Sequence, residues 1–120
     1  MAKKRILLVE DDEAVLTMLE GVLSTVGYAV DTAKTAAVAR TLLAASSYSL
    51  VIADWRLPDG DGAVVADGAA QLGAKTVLMS GYGRDMSPGA RGSHPFMMKP
   101  VRIGPLLSYV SDAIGGPYLA

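Results

Sequence analysis

The chain has 120 residues and a mass of 12.4 kDa, 51% of it hydrophobic and 19% charged, which is room for one domain with one core and far from the composition of disordered chains. Lys and Arg number 11 against 12 Asp and Glu, a formal net charge of −1, so no overall field draws the chain directly onto nucleic acid or an anionic membrane. With no Cys and a single histidine, His94, disulfides, thiolate nucleophiles, sulfur-ligated zinc and two-histidine zinc motifs are excluded, and a reducing, cytoplasmic setting is expected.

The first predicted strand is Arg5–Val9. Lys3-Lys4-Arg5 precedes only four apolar residues before Glu10, too few for a signal peptide. A helix follows, with Val15, Leu19, Val22, Leu23 and Val26 on one stripe and Gly27 placed to end it in a left-handed cap. The second strand is Ala29–Thr32 and the third Leu50–Ala53. The apolar-looking stretch from Thr41 to Ala53 contains Ser46, Ser47 and Ser49 and is shorter than the roughly 18 residues a membrane helix needs. Asp59-Gly60-Asp61-Gly62 lacks the following glutamate of a calcium loop and reads as a turn plus a cap for a short helix over Ala63–Leu72.

Thr76–Met79 is the fourth strand. After it come Gly83, Pro88, Gly89, Gly92 and Pro95; in a helix interior each glycine costs about 1 kcal/mol and each proline about 3, so the fourth helix is expected to be short or irregular. His94, beside Pro95, reads as surface loop. Phe96–Met98 is the fifth strand. The last helix has Pro105 in its first turn, Leu106, Leu107, Val110 and Ile114 on one face, and Gly115-Gly116 as its stop. Five βα units with strands apolar on both faces predict an α/β fold: a flavodoxin-like, doubly wound parallel sheet of order 2-1-3-4-5. It is read as one domain over residues 1–120 with no output domain attached.

In such sheets ligands sit beyond the carboxyl ends of the strands, where strand order reverses. The residues there are Glu10, Asp11 and Asp12 after the first strand, Asp54 after the third, Ser80-Gly81 after the fourth and Lys99-Pro100 after the fifth. Clustered carboxylates repel one another unless a hard cation or a lysine neutralises them. Oxygen ligands are nearly all this chain offers, which suits Mg²⁺. Lys99 adds a point charge and Ser80 a hydroxyl donor, a set suited to holding a phosphoryl group against a carboxylate. Asp12 reads as a helix N-cap or solvent-facing acid, and Trp55 as packing that would report on its neighbour.

The segments ILLVEDDEAV, LVIADWRLPDGDG, VLMSGYG and FMMKPV, in that order and spacing, resemble the receiver domains of bacterial two-component response regulators across essentially the whole chain. The resemblance implies phosphorylation of Asp54 by a histidine kinase or a histidine phosphotransfer protein. It makes Glu10 and Asp11 the acidic pair, with Asp11, Asp54 and the backbone carbonyl of Arg56 binding Mg²⁺. Ser80 and Lys99 would contact the phosphoryl group, and Phe96 would be the switch aromatic, without the hydroxyl of a tyrosine. It also implies a cis Lys99-Pro100 bond. In the family the positions of Arg56 and Tyr82 tune phosphoryl lifetime; Arg cannot accept a proton from water and Tyr is bulky, so a long-lived adduct is expected.

Downstream, the resemblance implies a protein partner that the sequence does not name, and it leaves a homodimer open. Two other readings share the residues. An aspartate-nucleophile phosphatase using Mg²⁺ calls for a second carboxylate where Arg56 stands, and a nucleotide or flavin module calls for a Gly-rich loop where Glu10 and Asp11 stand.

Overall fold

A computed structural model describes residues 2–81 and 94–119. Its elements run β1 (Arg5–Val9), α1 (Glu13–Val26), β2 (Ala29–Ala33), α2 (Ala36–Ala45), β3 (Leu50–Asp54), β4 (Arg56–Leu57), β5 (Gly60–Asp61), α3 (Gly62–Gln71), β6 (Lys75–Ser80), β7 (Phe96–Met98) and α4 (Ile103–Ile114). Strands β1, β2, β3, β6 and β7 form one parallel sheet in the order β2-β1-β3-β6-β7, which is the expected 2-1-3-4-5. The short β4–β5 ladder, which the periodicity did not predict, folds the loop after β3 into a hairpin.

Strand alternation divides the core into two layers. Leu7 and Val9 of β1, Val51 and Ala53 of β3 and Leu78 of β6 face α2 and α3. Ile6, Leu8, Leu50, Ile52, Val77 and Met79 face the other way, against Leu16, Leu19 and Leu23 of α1 and Leu106 and Val110 of α4. Because β1 and β3 are apolar on both faces, they can occupy only the middle of a covered parallel sheet. That places Glu10 and Asp54, the residues at their carboxyl ends, side by side.

Local chemistry ends the elements where the sequence suggested. Asp12 is the N-cap of α1, accepting from Ala14 N at 3.0 Å and Val15 N at 3.2 Å. Gly27 closes α1 at φ 123°, donating to Leu23 O and Ser24 O. Asp61 caps α3 through Ala63 N at 2.7 Å, so the helix starts at Gly62 and ends at Gln71, one residue earlier at each end than expected. Asp59 is no simple turn residue: its carboxylate reaches across to the first turn of α2, accepting from Ala36 N at 2.7 Å and Ala37 N at 3.0 Å. These two backbone donors hold its pKa below the usual carboxylate value.

His94 corrects the sequence reading. It is 6% exposed, not surface loop, because Thr76 and Asp67 satisfy both of its ring nitrogens at 2.6 Å. The glycine- and proline-rich stretch over residues 82–93, with the expected irregular fourth helix and Tyr82, lies outside the described residues.

Candidate functional site

Four strand ends build the site. Glu10 follows β1, its N–H donating to Ala33 O of β2 at 2.9 Å, and it is fully buried. Asp54 ends β3 opposite Met79 of β6 and is 8% exposed. Ser80 ends β6, nearly fully buried, and accepts at its backbone carbonyl from Lys99 N at 2.9 Å. That bond carries β7 into the site, and the Lys99-Pro100 bond is cis, as expected. Lys99 Nζ then donates to Glu10 Oε1 at 2.6 Å and to Asp54 Oδ2 at 3.1 Å. The loop after β3 closes on itself where Gly62 N donates to Trp55 O at 2.7 Å.

One lysine faces more negative charge than it can neutralise. Glu10, Asp11 and Asp54 each offer a carboxylate oxygen within 4.8 Å of the other two. Burial first, and then the neighbouring Asp54, push the Glu10 pKa up to about 7 despite the Lys99 bond. Burial also works against the Lys99 ammonium, but its bonds to Glu10 and Asp54 prevail and its pKa is raised. Among the described residues, Glu10 Oε2 is buried without a hydrogen-bond partner. An orphaned carboxylate oxygen beside two further carboxylates is what a hard divalent cation requires, so the residues present fit a metal ion such as Mg²⁺.

The remaining candidates divide. Phe96 is half-buried opposite Leu78, packed on the α2–α3 side of the core. Arg56 is exposed, its guanidinium carbon 5.1 Å from the centroid of the Trp55 ring. Sequence reasoning missed Gly62, whose backbone lies so near Asp54 that a Cβ there would stand 1.9 Å from the Asp54 carbonyl oxygen. A glycine following an N-cap aspartate was the only available signal.

Comparison with known proteins agrees with this geometry. The chain is 30% identical over 119 residues to the response regulator protein PilR of Pseudomonas aeruginosa, covering 95% of this chain and 27% of that protein. It spans about a quarter of the length of the curated relatives it matches. Among solved structures, a receiver domain protein (CheY-like) from Methanospirillum hungatei superposes with a TM-score of 0.84 at 30% identity, with 94% of each chain covered. The response regulator protein TrrA of Thermotoga maritima, solved in complex with Mg²⁺-BeF, does so with a TM-score of 0.79 at 29% identity, over 92% of this chain and 98% of that one. The family model of the response regulator receiver domain matches residues 6–111, and the chain belongs to that family.

Proposed function

We propose that Asp54 is the phosphoacceptor of this receiver domain, taking its phosphoryl group from a phosphohistidine of a histidine kinase or histidine phosphotransfer protein. The observation that carries the reading is the convergence of Glu10, Asp11 and Asp54 within 4.8 Å, with the Lys99 ammonium bridging two of them. An Asp54 carboxylate oxygen bonds to phosphorus as the donor's P–N bond breaks. The electron pair leaves on the imidazole nitrogen, which takes a proton from solvent. Lys99 and Ser80 hold the transferred oxygens by charge and hydroxyl donation, a task of positioning and charge neutralisation. Glu10, Asp11, Asp54 and the carbonyl of Arg56 would hold Mg²⁺, which supplies electrostatic neutralisation of the phosphoryl charge. Phosphorylation adds charge and acceptor oxygens; Ser80 moves toward them and Phe96 turns into the space left, altering the surface offered to a downstream protein.

The test is exposure to acetyl phosphate with and without Mg²⁺, read by intact mass. A Mg²⁺-dependent phosphoryl adduct is expected, absent in Asp54→Ala. An adduct that survives that substitution would refute the assignment.

A protein donor must approach Asp54 beside Lys99. A mostly apolar groove of about 520 Å³ lies there, lined by Ala14, Val15, Met18, Lys99, Pro100 and Val101, with Met18 39% exposed. Met18→Glu is expected to slow transfer from a phosphorylated histidine phosphotransfer protein about tenfold and to leave uptake from acetyl phosphate unchanged, since a charge in an apolar contact costs about 1–3 kcal/mol. Equal slowing with both donors would place the defect in the site itself.

Arg56 and Tyr82 carry a prediction about lifetime. Neither side chain can serve as a base toward an attacking water at neutral pH, so the adduct is expected to decay several-fold faster in a variant combining Arg56→Asn with Tyr82→Glu. Equal or slower decay in that variant would contradict it.

A further inference from the structure

Among the described residues, a buried polar cluster that the phosphoryl site does not use lies at the opposite end of β6. His94 stands just before β7, its side chain 4% exposed. Its Nδ1 lies 2.6 Å from Thr76 Oγ1 and its Nε2 2.6 Å from Asp67 Oδ1. The Asp67 carboxylate can only accept, so Nε2 carries the proton and donates to it; in the neutral ring Nδ1 then accepts from the Thr76 hydroxyl. Thr76 is the second residue of β6, and its carbonyl is also held from α4 by Tyr109 Oη at 3.2 Å. Asp67 lies on α3, its side chain 64% exposed. One imidazole thus ties the entrance of β7 to both β6 and α3.

β7 needs such a tie. Among the described residues it is an edge strand of three residues, paired on one side only, through Leu78↔Phe96, Met79↔Met97 and Ser80↔Met98. Pro95, just before it, extends the pairing by accepting from Leu78 N at 2.9 Å. The far end is held by Lys99, whose backbone bonds to Ser80 and whose ammonium bonds to Glu10 and Asp54. Phe96 lies between the two pins. If the His94 pin is released, so short a ladder has little to keep its register, and Lys99 moves with it.

We propose that His94 is a positioning residue for β7: with Thr76 and Asp67 it fixes the strand that delivers Lys99 to the acidic site and places Phe96. The effect on phosphoryl uptake rests on the reading of Asp54 as phosphoacceptor; the effect on the strand does not. Because Asp67 is largely exposed on α3, a shift of β7 is also transmitted to that helix surface.

The experiment is residue-resolved amide hydrogen exchange on the full chain, paired with the rate of adduct formation from acetyl phosphate in the presence of Mg²⁺. Wild type is compared with His94→Gln, Asp67→Ala, Thr76→Val and Thr76→Ser. Losing one of these bonds is expected to speed exchange of the Lys99 amide about fivefold to tenfold, in Asp67→Ala and Thr76→Val alike, while amides of β1 keep their rates. Thr76→Ser, which retains the hydroxyl, is expected to keep the wild-type rate at Lys99. A merely structural role would quicken both strands together. Adduct formation is expected to slow by a similar factor in the first three variants.

Unchanged Lys99 exchange in both Asp67→Ala and Thr76→Val overturns the proposal even if His94→Gln fails to fold. Faster Lys99 exchange in a chain that forms no adduct, wild type included, upholds the anchor and refutes the phosphoacceptor reading. An adduct formed equally fast by all variants, with exchange unchanged, does the reverse.

Discussion

Gly62→Ala is expected to cost about 3 kcal/mol of stability and to lower the Tm by about 10 °C, whereas Gly68→Ala in the same helix is expected to raise stability by up to about 1 kcal/mol. The two glycines share a secondary structure and differ in what a methyl group would meet. At Gly62 an added Cβ stands 1.9 Å from the Asp54 carbonyl oxygen and 2.9 Å from its carbon, both backbone atoms. At Gly68 no atom of the described residues outside its own helix backbone and chain neighbours lies within 4 Å of an added Cβ, so alanine gains helix propensity without penalty. Backbone on both sides of the Gly62 contact cannot turn away as a side chain would. The hairpin is further held by Gly62 N on Trp55 O, by the Asp61 cap on α3 and by Asp59 on the first turn of α2. Relief must therefore come from moving Asp54 itself. Phosphoryl uptake is expected to fall with stability in Gly62→Ala and to remain at the wild-type level in Gly68→Ala. Urea denaturation and intact mass read the two effects; equal stabilities for the two variants would mean that the close approach does not exist in solution.

The contrast between these glycines marks how far the sequence could be read. Strand order, the paired acids at β1, Asp54, Ser80 and Lys99 were legible because each is fixed by local order: an apolar run, then a polar residue at its carboxyl end, with resemblance supplying the roles. The caps at Asp12, Asp61 and Gly27 were legible because capping acts over a few residues. What escaped is non-local. His94 sits beside Pro95 in a turn-rich stretch, and its partners Thr76 and Asp67 come from another strand and another helix. Nothing near it in sequence marks it as buried. Asp59 looked like a turn residue because its turn is real, while its charge serves the N-terminus of α2. The β4–β5 ladder has two residues per strand, too short for any alternation to show.

In metal-free solution the stability of the chain is expected to fall by about 2 kcal/mol as pH rises from 5 to 8, and Glu10 is the cause. Its pKa is raised from 4.5 to about 7 by burial and by the Asp54 carboxyl beside it. Between those values the folded chain holds a proton that the unfolded chain has released, so each step up in pH within that window favours unfolding. Below about 4.5 both states are protonated and the full benefit is present; above about 7 both are ionised and it is gone. Glu10→Gln keeps the shape and an oxygen that can accept from Lys99 while removing the charge, and is expected to flatten this part of the profile and to exceed wild type in stability at pH 8. Mg²⁺ works against the same repulsion. At a hundred times its Kd it is expected to add about 2.7 kcal/mol to wild type, with the larger share of its effect at high pH, where Glu10 is ionised. In Glu10→Gln that gain shrinks because a carboxylate is missing from the cluster that would hold the ion. Urea melts at pH 5, 6, 7 and 8, with and without Mg²⁺, decide the matter: a slope retained in Glu10→Gln would assign the titration to another group, and a Mg²⁺ gain unchanged by the substitution would remove Glu10 from the metal site.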